Sequence, residues 1–168
     1  MATSLADVSS EYDFMPHGAM RLSLPSSTGF CRLSRESVRT WLHVNRLPVL
    51  DWDLVVTELF TNAVHAARHG TLIDLYFSVD EPDSYMPDSA SPGRDGRSGA
   101  SVRCEVTNEG HWVMGGNTCV PLDYLVARFA PDHLPNGRGL KLVSALTSRG
   151  EVETADHSTV VRVWREID

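Results

Sequence analysis

The chain has 168 residues, 42% of them hydrophobic and 22% charged, which suits one folded domain with or without a tail and excludes wholesale disorder, collagen-like and coiled-coil structure. The 15 Lys and Arg against 22 Asp and Glu leave a net charge of −7 with His neutral. That balance lacks the clustered basic side chains that direct nucleic-acid binding needs, so a partner steered by charge presents a basic face. Cys31, Cys104 and Cys119 are odd in number and widely spaced, which suits reduced thiols in a cytoplasm better than a disulfide framework or a structural zinc site. The N-terminal stretch lacks the basic-then-apolar pattern of a signal peptide, and no apolar run approaches the ~20 residues of a membrane helix, so a cytoplasmic protein with no membrane contact is expected.

Residues 1 to about 20 are polar and aperiodic and read as a flexible tail, leaving 21–168 as the domain. Arg21 to Leu24 alternates briefly before Pro25, predicting a short strand. Phe30, Leu33, Val38, Trp41 and Leu42 recur at helical spacing up to Val44. A longer helix is predicted over Leu50 to His69, with Trp52, Val55, Val56, Leu59, Ala63 and Ala66 on one stripe and Gly70 placed to close it. Two alternating strands follow, at 71–80 and 101–107, with one polar face each. Residues 81–100 between them, dense in Pro, Gly, Ser and Asp, read as a long mobile connection.

Pro121 suits a first helical residue, with Leu122, Leu125, Val126 and Phe129 on the apolar face behind it. Gly137-Arg138-Gly139 opens a further helix, with Leu140, Val143 and Leu146 inward and Gly150 ending it. Strands around Glu151–Thr154 and Ser158–Trp164 close the chain. Strand runs backed by helices indicate an α+β two-layer sandwich, one sheet covered on one face by helices.

Three elements carry chemistry. Glu58 and Asn62, four apart on the long helix, stack on the flank of its apolar stripe, about 5–6 Å between Cβ atoms. There a carboxylate can take a proton or orient a nucleophile, and an amide oxygen can ligate Mg²⁺ beside phosphates. From spacing alone, two polar residues on a helix shoulder is the plainer reading. Glycines at Gly137-Arg138-Gly139 let backbone N–H groups approach an anion at a helix start, with Arg138 able to fork onto phosphate oxygens; in isolation they are equally a conformational turn. Asn108-Glu109-Gly110, directly after the alternating strand, can meet a ligand held against the sheet or simply form a turn. His65 and His69 lack an evident third metal ligand; the expected places are the rim beside Glu58 for His65 and the helix end for His69. Trp41, Trp52 and Trp164 read as core.

Taken in order, Glu-Leu-Phe-Thr-Asn-Ala-Val on a helix, Asn-Glu-Gly after a strand and Gly-Arg-Gly-Leu-Lys-Leu-Val into a helix resemble the anti-sigma factor serine kinases. These are a bacterial branch of the gyrase, chaperone, histidine kinase and MutL ATPase superfamily, and the likeness runs from about Leu22 to Trp164. It implies the Bergerat-type ATP-binding fold, with a mixed, mostly antiparallel sheet. It also implies ATP and Mg²⁺ as cofactors, with Glu58 as catalytic base and Asn62 as the Mg²⁺ ligand. The family's nucleotide-binding positions fall on His65, Asn108, Gly110, Gly137, Arg138, Gly139, Leu140 and Thr159, with 137–139 covering the phosphates and Thr159 near the adenine. The implied partners are a sigma factor, which the protein sequesters, an anti-anti-sigma factor, which it phosphorylates on serine, and a second copy in a homodimer. One departure matters: the family carries Asp where Asn108 stands. Asn keeps a carbonyl acceptor for the adenine amino group but loses the charge, weakening that bond by ~1 kcal/mol, and adds an NH₂ donor needing a partner. The alternative is therefore a non-catalytic, protein-binding regulatory module of the same fold.

Overall fold

The computed structural model describes residues 13–15, 18–80, 99–110, 118–129, 138–155 and 157–167. Its elements in chain order are β1 (Asp13–Met15), β2 (Ala19–Pro25), a 3₁₀ turn (Thr28–Phe30), α1 (Cys31–Val44), α2 (Trp52–Ala66), β3 (Leu72–Asp80), β4 (Ser101–Glu109), β5 (Thr118–Pro121), α3 (Leu122–Phe129), α4 (Arg138–Leu146), β6 (Arg149–Ala155) and β7 (Ser158–Glu166). The seven strands form one sheet in the order β1-β2-β3-β4-β7-β6-β5. The α+β two-layer architecture is as the pattern predicts. Every described ladder is antiparallel, though, where a mixed sheet was implied.

Alternation does the sorting. Leu22, Leu24, Ile73, Leu75, Phe77, Val102, Cys104, Val106, Val161 and Val163 face the helices and are buried. They meet Val38, Trp41 and Leu42 of α1 and Trp52, Val55, Val56, Leu59, Phe60 and Ala63 of α2 in one core. Trp41 and Trp52 pack against Phe77, ring centroids 5.6 and 5.4 Å apart, and Trp41 donates its indole N–H to Gly18 O at 2.6 Å. The opposite face is polar and held by ion pairs: Arg21 with Asp74, and Arg162 with Glu105, Glu151 and Glu153. Burial works against the charge on Arg162, but its hydrogen bonds to Glu153, Glu105 and Glu151 outweigh that and raise its pKa above the ordinary guanidinium value.

Several boundaries differ from expectation. β2 begins at Ala19 with Ala19 and Met20 buried, and Asp13–Met15 pair with it, so part of the stretch read as tail belongs to the sheet. α2 ends at Ala66, three residues early, because the chain turns extended at Ala67; Gly70 does adopt a left-handed φ of +82°, in the turn to β3. Pro121 ends the edge strand β5 instead of opening α3, a position where its missing N–H costs little. α4 stops at Leu146, and Gly150 lies inside β6, where a side chain would run into Leu122. Residues 81–98 of the long connection lie outside the described residues.

Candidate functional site

α2 is the spine of the site: it packs on β4 along one side and on α4 along another. Its apolar stripe is buried in the core, which leaves Glu58 and Asn62 half-buried at the stripe's edge, one turn apart. The first turn of α4 lies directly against Glu58. A Cβ on Gly139 would collide with the Glu58 carboxylate and sit 2.8 Å from its carboxyl carbon. At 139 a side chain meets the Glu58 carboxylate, while the backbone conformation is one that any residue adopts. The first N–H groups of a helix have no partner within it, and its positive end favours an anion there, so the Glu58 carboxylate sits in a favourable field.

The other end of α2 meets the end of β4. Arg68 N–H donates to Glu109 O at 2.8 Å, and Gly110, at φ +143°, lies against the Ala66 carbonyl and Ala67. The missing side chain of Gly110 makes room for the α2 backbone. Asn108 lies within β4, not beyond it, on the helix-facing side. It is 1% exposed, between its ladder partners Ile73 and Thr159. Neither its Oδ1 nor its Nδ2 has a hydrogen-bond partner among the described residues. Thr159, fully buried, spends its hydroxyl proton on Gly110 O at 2.8 Å.

The structure therefore brings Glu58 to Gly139 at the middle of α2, and Asn108, Gly110 and Thr159 together near its C-terminal end. At 1.5 Å per residue, the eight residues from Glu58 to Ala66 separate the two groups by about 12 Å along the helix axis, on the order of an extended nucleoside triphosphate. Arg138 is exposed, and Leu140 packs its side chain against the core. His65 is exposed, seven residues along α2 from Glu58 and so on the same side of the helix, and His69 lies past the helix end. Gly137 lies outside the described residues. Sequence reasoning missed Ile73, whose burial makes one wall beside Asn108, and Ala66, whose carbonyl fixes Gly110. The β3 alternation signals the first; nothing local signals the second.

These residues fit a magnesium nucleotide. A buried amide left with two open donors and two open acceptor positions calls for a polar ligand, since an unpaired buried group costs about 1–3 kcal/mol. Among the described residues no group of three or more His, Cys, Asp and Glu side chains gathers, so a hard cation held beside Asn62 would draw its remaining ligands from phosphate oxygens and water.

Residues 27–164 match the family described as the histidine kinase-like ATPase domain, and the chain belongs to that family. No curated protein sequence matches it. Membership implies ATP binding, usually with Mg²⁺. No described helix is long and apolar enough to cross a membrane.

Proposed function

We propose that this chain is an ATP-dependent regulatory protein serine kinase of the anti-sigma type: it holds a sigma factor in one state, and in another phosphorylates a serine of an anti-anti-sigma partner. The carrying observation is the contact of Glu58 with Gly139 at the start of α4, with Asn62 one helical turn along α2. Mg²⁺-ATP, when bound, supplies the phosphoryl group and neutralises its charge. Glu58 is positioned to accept the proton of an attacking hydroxyl, and its half-buried place beside α4 limits water around it. Asn62 offers a neutral oxygen for the cation, and Asn108 receives the base against the sheet.

The test is transfer of labelled phosphate from ATP to proteins that co-purify with the native chain. Serine labelling that falls by roughly 10²–10⁴-fold in Glu58→Gln, with nucleotide affinity little changed, supports the kinase. Labelling that Glu58→Gln leaves intact removes it.

The neutral Asn108 favours a second reading, a non-catalytic module that captures protein partners. A titration separates the two: nucleotide at 100 times its Kd raises stability by about 2.7 kcal/mol, and a protein whose melting does not respond to millimolar Mg²⁺-ATP is the module.

A further inference from the structure

The Asn108 amide is 1% exposed and unpartnered at both ends, and its neighbours leave it so: Ile73 is apolar, and Thr159 has committed its proton to Gly110. An amide differs from every ionised side chain in carrying a donor and an acceptor side by side, interchangeable by a half-turn about its last torsion. The base edges it complements are those with one donor next to one acceptor. Adenine presents an amino donor beside the N1 acceptor, and guanine presents the O6 acceptor beside the N1–H donor. An ionised carboxylate at the same place accepts only, so it pairs with the adenine amino group or with guanine's N1–H and N2 donors, and repels adenine N1 and guanine O6.

We propose that Asn108 makes this site a reader of both purines, taking an ATP edge with the amide turned one way and a GTP edge with it turned the other. The proposal rests on the reading of the site as a nucleotide site and extends it to the class of nucleotide accepted. No hydrogen bond within the described protein holds the amide in either orientation, so neither purine has to break one to be read.

The experiment is calorimetric and melting titration of the full chain with the Mg²⁺ complexes of ATP, GTP and CTP, repeated on Asn108→Asp and Asn108→Leu. We expect the wild-type dissociation constants for ATP and GTP to agree within about tenfold, with CTP far weaker. One bidentate pair typically separates right from wrong bases by about tenfold to a hundredfold, so Asn108→Asp shifts the ATP-over-GTP ratio by that factor, and Asn108→Leu weakens both purines together. ATP bound at least a hundredfold tighter than GTP by the wild type overturns the proposal and leaves the nucleotide site standing. Absence of binding by all three overturns both. The wild-type ratio decides the matter even where a variant fails to fold.

Discussion

Gly139→Ala separates two reasons for a glycine at a helix start. Gly139 lies in α4 without a positive φ, so on backbone grounds alone alanine is neutral or better, because glycine costs a helix interior about 0.8–1.0 kcal/mol relative to alanine. The contact geometry says otherwise: the new methyl meets the Glu58 carboxylate and must displace it. That carboxylate is the far end of a flexible side chain, so it can swing aside at about 0.5–1.5 kcal/mol of rotamer strain. The two effects nearly cancel, leaving a net change within about 1 kcal/mol, or roughly 2–4 °C in melting temperature for a chain of this size. Function does not cancel. With Glu58 as the proposed base, a misplacement of about 1 Å costs on the order of 10²-fold in rate, so phosphoryl transfer should collapse in a protein that still melts normally. Gly110→Ala is the control. There the methyl meets the Ala66 carbonyl and Ala67, which are backbone and cannot swing, at a φ of +143° hostile to alanine. Overpacking and backbone strain sum to about 3–4 kcal/mol, roughly 10 °C. Differential scanning calorimetry with a transfer assay reads both variants. A Gly139→Ala protein that loses as much stability as Gly110→Ala, or transfers phosphate at the wild-type rate, refutes the reasoning.

Asn108→Val should raise the stability of the nucleotide-free protein by about 1–2 kcal/mol, because it removes an unpaired buried amide from a strand, and should abolish the melting shift with Mg²⁺-ATP; a destabilised variant would mean the amide has a partner. Arg162→Met should cost about 1–2 kcal/mol at pH 7 in urea titrations, because it leaves Glu105, Glu151 and Glu153 facing one another without their shared cation. Thiol labelling should find Cys119 first and Cys104 only on unfolding, since Cys104 is buried and its thiol is pushed up by desolvation. The Cys119 thiol is itself raised, by desolvation and then by Glu151 and Glu153, so its labelling should accelerate with pH beyond the range of an ordinary thiol; Cys119→Ser should remove the fast phase.

The long periodic elements were legible because burial imposes their periods. The α2 stripe predicted the edge placement of Glu58 and Asn62, and alternation in β3 and β4 predicted which residues line the core. What stayed illegible depended on partners distant in sequence. Nothing near Gly139 announces Glu58, 81 residues earlier, and a glycine at a helix start looks the same whether it serves conformation or contact. By its sequence Asn108 belongs past the strand, because Asn is depleted in strands and Gly110 follows it. The β4 ladder nonetheless runs through Asn108 to Glu109, held by Ile73 and Thr159 on either side. β1 and β5, three and four residues long, show too little alternation to be seen without the neighbours that pair with them.

The same helix explains why stability and ligand demand sit so close together. Trp52 through Ala63 bury one side of α2 completely, so its position is fixed by the core and not by whatever binds beside it. Both polar contacts then inherit that rigidity: Glu58 is carried to α4, and the α2 terminus is locked to β4 by Arg68 and Gly110. A mobile amide at position 108 would find water or a backbone group and be satisfied. Held on the helix-facing side of a central strand, flanked by β3 and β7, it has no such escape, and its hydrogen bonds stay unmet among the described residues. The core thus bears the cost of the open amide, and this is why an apolar residue there should stabilise the chain while ending its response to nucleotide.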